Sequence, residues 1–194
     1  MNIYDYLRDA AEIATDMVVN DDLRYSIDHA ADVMVTALKN GNKLVACGNG
    51  GSMCDAMHFA SELTGRYKRD RSPIAAIAIS DGAHLSCVSN DYEYSAVFSR
   101  WIGAHGKEGD VLLAISTSGK SYNVYSAALC AIREKKMRVI VLTGDKDNGG
   151  NDFNLIKADP AVIVINAPSL ITNHIQECHI KIIHILVELI EKGL

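Results

Sequence analysis

The chain opens with two stretches of helical periodicity. Ile3, Leu7, Ala10, Ala14, Met17 and Val18 recur at helical spacing and predict an amphipathic helix. Asn20-Asp21-Asp22 breaks the pattern and supplies a cap. Leu23, Ile27, Ala30, Val33, Met34, Ala37 and Leu38 form a second stripe, ended by Asn40-Gly41. From Lys43 onward the pattern changes. Short, nearly continuous apolar runs predict strands at Leu44 to Cys47, Ile74 to Ser80, Val111 to Ser116, Val139 to Thr143 and Val162 to Ile165. Such runs suit strands covered on both faces. Helices are expected from Ser52, from about Tyr92 to His105, from Ser121 to Lys136 and from about Thr172 to Lys192. Asn148 to Lys157 reads as a loop with a helical turn.

Alternation of strand and helix predicts an α/β fold: a three-layer, doubly wound, five-stranded parallel sheet with additional N-terminal helices. The 194 residues show no repeat, low-complexity tract or linker, so residues 1–194 are read as one domain. Residues 1–40 hold the leading helices and 41–194 the α/β core. Two apolar helices ahead of the first strand have more surface to cover than one sheet requires. The first is read as a subunit-packing element; the alternative is that it folds back on its own domain.

Composition narrows the classes of partner. The net charge of −5 gives no reason to expect nucleic acid or an anionic membrane surface. No apolar run approaches the roughly 20 residues of a membrane span. The acidic, amphipathic start does not read as a signal peptide. The five cysteines are scattered, odd in number and lack a C-x-x-C pair. That pattern fits reduced thiols in a cytoplasmic protein.

Candidate chemistry gathers where the strands end, as expected for ligand sites in such sheets. After the first strand come Gly48, Asn49, Gly50, Gly51 and Ser52. A strand, a Gly-rich turn and a helix N-terminus make an anion-binding corner, and Ser52 stands where an N-cap is expected. The following helix carries His58 and Glu62 at i, i+4, on one face. Ser80-Asp81 and Ser89-Asn90-Asp91 are read as polar loops after the second strand. After the third come Ser116, Thr117, Ser118, Gly119, Lys120 and Ser121. One hydroxyl would suffice for a cap; four hydroxyls at a helix N-terminus suit a phosphate. The last helix sets Gln176, Glu177, His179, His184 and Glu188 amid isoleucines, so it is expected to be largely buried. Gln176 and His184 are about 12 Å apart along the axis, which strains any ligand shared between them.

The segments CGNGGS, HFASELTGRY, SNDY, AISTSGKS and IQECHIKIIHIL together resemble the phosphoheptose isomerases of the sugar isomerase (SIS) family, from about residue 25 to the end. The STSGKS loop alone marks a phosphosugar-binding SIS domain; HFASEL with IQE…H narrows it. The resemblance implies a flavodoxin-like sheet and a cytoplasmic homotetramer with one zinc ion per subunit. It implies conversion of sedoheptulose 7-phosphate to D-glycero-D-manno-heptose 7-phosphate, the first step toward the heptose of surface polysaccharides. By the same resemblance, Ser116, Thr117, Ser118 and Ser121 hold the phosphate, and Asn49, Gly50, Gly51, Ser52, Asn90 and Asp91 contact the sugar. His58, Glu62, Gln176 and His184 match the zinc set, with Glu62 and Gln176 also at the substrate. Glu62 and His184 match the catalytic acid/base pair.

Two departures stand out. His174 occupies a position where many relatives carry Arg or Lys, and Ser61 replaces an acidic residue found in some. Rival readings are a non-catalytic phosphosugar-binding adaptor of the replication-initiator-associating type and an isomerase or sensor for another phosphosugar. The adaptor type loses the catalytic carboxylate and the last histidine, both present here as Glu62 and His184. A dinucleotide-binding enzyme is disfavoured, because no G-x-G-x-x-G follows the first strand.

Overall fold

Five apolar runs form the strands: β1 (Leu44–Gly48), β2 (Ala76–Ala78), β3 (Val111–Ser116), β4 (Arg138–Gly144) and β5 (Val162–Ala167). Around them lie α1 (Ile3–Val19), α2 (Asp21–Lys39), α3 (Gly51–Thr64), α4 (Gly82–Asp91), α5 (Val97–His105), α6 (Tyr122–Arg133) and α7 (Thr172–Gly193). Single 3-10 turns occupy Tyr94–Ala96 and Asp152–Leu155. This computed structural model describes residues 2–145 and 152–194. Much of the expected loop at 148–157 falls outside the described residues; its described part includes the second 3-10 turn.

The strands pair in the order β2-β1-β3-β4-β5, every neighbour parallel. The α/β expectation holds, including the flavodoxin-like order. Alternate residues of each strand face opposite layers, which explains the continuous apolar runs. Leu44, Ala46, Leu113, Ile115, Ile140 and Leu142 join one core with α2, α3 and α7. Val45, Cys47, Leu112, Ala114, Val139 and Val141 join a second with α4, α5 and α6. The order reverses at β1, so the carboxyl ends of β1 and β3 open side by side at the switch point.

Three expectations are corrected. The strand expected at Ile74 to Ser80 is regular only over Ala76–Ala78. It lies at the sheet edge, and its extended flanks still bond β1 through Leu44 N to Ala75 O and Ile79 N to Ala46 O, both 2.9 Å. The helix expected from Tyr92 to His105 begins only at Val97. A separate helix, α4, precedes it: Asp81 is its N-cap, accepting from His84 N at 2.6 Å, and Ser89, Asn90 and Asp91 form its last turn.

α1 is specified locally. Asn2 and Asp5 form a capping box, with Asp5 N donating to Asn2 Oδ1 at 2.9 Å and Asn2 N to Asp5 Oδ2 at 3.2 Å. Yet the helix has no buried residue. Ile13 and Met17 pack against Ala167, Ile175 and Cys178, and the Tyr6 ring lies against His174. Ile3, Tyr4, Leu7, Val18 and Val19 stand in solvent.

α7 buries most of its length, as its composition predicted. Within it His179 is fully buried, with neither ring nitrogen in a hydrogen bond of ordinary geometry among the described residues. Burial pushes its pKa down from 6.5 to about 4, opposed weakly by the neighbouring Thr143 backbone. The unfolded chain therefore binds a proton near pH 6.5 that the folded chain refuses until about pH 4. In that window the unfolded state holds more protons, so stability falls as pH falls. Urea denaturation is expected to show a loss approaching about 3 kcal/mol from this group between neutral and strongly acid pH. His179→Leu is expected to flatten that part of the acid profile, and an unchanged profile would remove His179 as its source.

Candidate active site

The turn after β1 is shaped by close approach. A Cβ on Gly48 would stand 2.6 Å from the Ser52 carbonyl oxygen, so no larger residue fits there without moving α3. Gly50 has φ +55 and is the N-cap residue of α3. This corrects the expected N-cap at Ser52, which lies inside the first turn, buried, while no side chain caps the helix. The positive-φ glycine starts the helix, and the first-turn N–H groups receive no side-chain bond.

Beside it, the loop after β3 carries its hydroxyls largely unspent on capping. Ser121 occupies the N-cap position of α6 but makes no side-chain cap bond. Its Oγ accepts instead from Ser116 Oγ at 3.0 Å, and Ser118 Oγ accepts from Lys120 N at 3.2 Å. The two loops are tied together by a reciprocal amide pair that sequence reading missed. Asn49 Nδ2 donates to Asn123 Oδ1 at 2.9 Å, and Asn123 Nδ2 donates to Asn49 Oδ1 at 2.8 Å. The Tyr94 hydroxyl adds a third bond to Asn49 Oδ1 at 2.9 Å. Asn90 Nδ2 donates to Asp91 Oδ1 at 2.9 Å, and Cys87 Sγ also approaches Asp91, so these two expected sugar contacts are exposed and engaged locally on α4.

α3 and α7 lie side by side and run parallel. Near the start of α3, Gly51 faces Gln176: a Cβ there would come within 2.3 Å of Gln176 Nε2. Two turns on, His58 Nε2 lies 2.9 Å from His184 Nε2 and 3.2 Å from Glu62 Oε1. The ligand atoms of His58, Glu62 and His184 all lie within 4.8 Å of one another. Gln176 thus has its amide against the first turn of α3. The Tyr67 ring, from the loop after α3, stacks 5.8 Å from His184. Burial lowers the His184 pKa, the nearby His58 lowers it further and Glu62 opposes both. A neutral imidazole beside a carboxylate can accept or pass on a proton near neutral pH.

The two departures resolve simply. Ser61 Oγ donates to the His58 carbonyl at 2.8 Å, within its own helix. His174 is buried, 5.6 Å ring to ring from Tyr6, with Glu177 at 3.5 Å.

Residues 5–144 match the SIS domain, and the chain belongs to that family. Within it, the chain is 51% identical over 191 residues to the phosphoheptose isomerase of Salmonella dublin, covering 98% of this chain and 95% of that one. It is 52% identical over 187 residues to the phosphoheptose isomerase of Salmonella newport, covering 96% and 93%. Among solved structures it matches the phosphoheptose isomerase of Francisella tularensis with a TM-score of 0.90 at 36% identity, over 98% of this chain and 96% of that one. The enzyme of the same name from Neisseria gonorrhoeae matches with a TM-score of 0.87 at 36% identity, over 98% and 97%.

The amide pair gives a test of how the loops are held. Asn123 is buried, and its Oδ1 also accepts from Val124 N at 3.0 Å. Asn123→Ala is expected to cost about 1–3 kcal/mol in urea denaturation, because Asn49 loses two bonds at once. Tyr94→Phe removes a single bond from a half-exposed ring and is expected to cost under about 1 kcal/mol.

Proposed function

We infer that this chain is a phosphoheptose isomerase, interconverting sedoheptulose 7-phosphate and D-glycero-D-manno-heptose 7-phosphate at the start of heptose biosynthesis. The observation that carries the reading is the meeting of His58, Glu62 and His184 within hydrogen-bonding range. Likeness over almost the whole chain to enzymes of that name supports it.

The chemistry needs one proton moved between C1 and C2 through an enediol, while the two oxygens exchange theirs. Glu62 takes the carbon-bound proton in this reading, and His184 serves the oxygens. The hydroxyls of Ser116, Thr117, Ser118 and Ser121, with the α6 N-terminus, hold the phosphate. Asn49, Gly50, Gly51, Ser52, Asn90, Asp91 and Gln176 are assigned to the sugar. Both Glu62 and His184 are present and adjacent, so the adaptor reading is not favoured.

We also assign one zinc ion per subunit to His58, Glu62 and His184. Two imidazole nitrogens and a carboxylate oxygen are a donor set that zinc accepts, and the 2.9 and 3.2 Å separations lie close to the ~3.3 Å expected between ligands of a tetrahedral centre. Bound there, zinc would polarise the substrate carbonyl as a Lewis acid. Gln176, the fourth ligand implied by resemblance, has its amide against Gly51 and suits the sugar better in this conformation.

The whole chain is read as one SIS domain of a cytoplasmic homotetramer. Unpaired cysteines, three of them buried, support a reducing compartment. No helix among the described residues is long and apolar enough to cross a membrane. The uncovered apolar residues of α1 support its use in assembly.

Glu62→Gln is expected to lower turnover of sedoheptulose 7-phosphate by on the order of 100-fold or more while sugar-phosphate binding survives by calorimetry. Undiminished turnover in a clean preparation would remove Glu62 as the base. Leu7→Glu, on the exposed face of α1, is expected to reduce the assembled mass in light scattering, whereas an unchanged tetramer would exclude that face from the interface.

A further inference from the structure

Arg71 lies in the loop between α3 and β2, and its guanidinium bonds backbone carbonyls and Glu191 rather than any side chain assigned to substrate. Its guanidinium gathers the end of α3. Nη2 donates to the Glu62 carbonyl at 2.7 Å. Nη1 donates to the Leu63 carbonyl at 2.7 Å and the Gly65 carbonyl at 3.0 Å, with Ser72 O at 3.2 Å. Nε donates to Glu191 Oε1 on α7 at 2.8 Å. Both members of this ion pair are largely buried, with side-chain exposures of 18% and 10%.

The arrangement answers a local need. The last carbonyls of a helix have no partner within it, and α3 has no basic residue in its last turn. Arg71 supplies both the donors and the positive charge that the helix end favours. It does more than cap, because the same guanidinium is anchored to the neighbouring helix. Glu191 lies two turns beyond His184 on α7, and Glu62 lies one turn beyond His58 on α3. One rigid fork therefore holds the backbone of the proposed base against the helix that carries its imidazole partner. A second, more exposed rung, Lys68 to Glu188 at 2.7 Å, runs alongside.

We propose that Arg71 is a positioning residue for the isomerisation: it fixes α3 on α7 so that the Glu62 carboxylate and the His184 imidazole keep a reactive spacing. The proposal rests on the isomerase reading and on those two residues as its acid/base pair. Arg71 also lines a cavity of about 500 Å³ with Leu38, Ile74, Glu191 and Leu194, separate from the Gly-rich turn. Its influence on chemistry is thus through placement. A lysine could keep the ion pair but not the fork, since an ammonium has three donors without a fixed plane and the guanidinium has five in one.

The test compares Arg71→Ala, Arg71→Lys, Glu191→Gln and Glu62→Gln for kcat, KM and thermal unfolding with sedoheptulose 7-phosphate. Arg71→Ala is expected to lose about 10- to 100-fold in kcat, as loosened catalytic geometry does, with KM held within about threefold. Arg71→Lys is expected to recover part of the loss. A folded Arg71→Ala with wild-type kcat, beside an inactive Glu62→Gln, would overturn the clamp and leave the isomerase reading standing. Full activity in Glu62→Gln would instead overturn the acid/base assignment and the clamp with it. Should Arg71→Ala fail to fold, Glu191→Gln decides: it leaves the α3 cap in place and weakens only the anchor. A severalfold fall in kcat at unchanged KM supports the proposal, and unchanged kcat overturns it.

Discussion

The seating of α3 against α7 is the constraint on which the rest depends. At one end the Gln176 side chain lies over Gly51, where a Cβ would meet its amide nitrogen at 2.3 Å. In the middle two imidazole nitrogens meet at 2.9 Å. At the far end a largely buried guanidinium joins the last carbonyls of α3 to Glu191. Two polar contacts and one close approach in a single parallel register limit how far one helix can slide on the other. Apolar packing of Phe59, Leu63, Ile182, Ile183 and Leu186 supplies the adhesion. The polar contacts choose the register, since apolar side chains tolerate small shifts that a 2.9 Å contact does not.

That register also sets the electrostatics. Two imidazoles facing through Nε2 cannot both be protonated there without repulsion, and His184 is the one whose pKa is pulled down by burial and by its neighbour. Glu62, one turn along α3, is the carboxylate placed to compensate. The same three groups have ligand atoms close enough together to hold a divalent cation or to relay a proton. The two uses draw on the same lone pairs, so a cation bound there would change which nitrogen or oxygen is free to accept a proton.

Much of this was legible in the chain. Fully buried parallel strands must be continuously apolar, so β1, β3 and β4 declared themselves, and the i, i+4 pair His58 and Glu62 had to share a face. α4 did not, because its ten residues offer only Leu85 and Val88 as packing positions and otherwise read as loop. The start of α3 was misplaced because a positive-φ glycine did the work usually given to a serine. Asn123 and Arg71 were invisible for another reason. Their partners are an amide 74 residues away and backbone carbonyls, and neither kind of partner leaves a spacing in the sequence.

The loop after β3 is the one proposed to hold the phosphate. Its assigned groups are hydroxyls and a helix N-terminus, while Lys120, the cation within the loop, is exposed. A phosphate remote from the reacting carbons is bound alike in substrate, transition state and product. Binding of that kind lowers KM without raising kcat. Neutral donors orient such a group with less attraction than a buried cation would exert, so product can leave as readily as substrate enters. Charge develops at the enediol oxygens, where the proposed reading puts the His184 imidazole, while the Glu62 carboxylate acts at the carbon-bound proton. On the proposed reading, a neutral anchor at one end and a registered acid/base cluster at the other match what each end of the substrate undergoes.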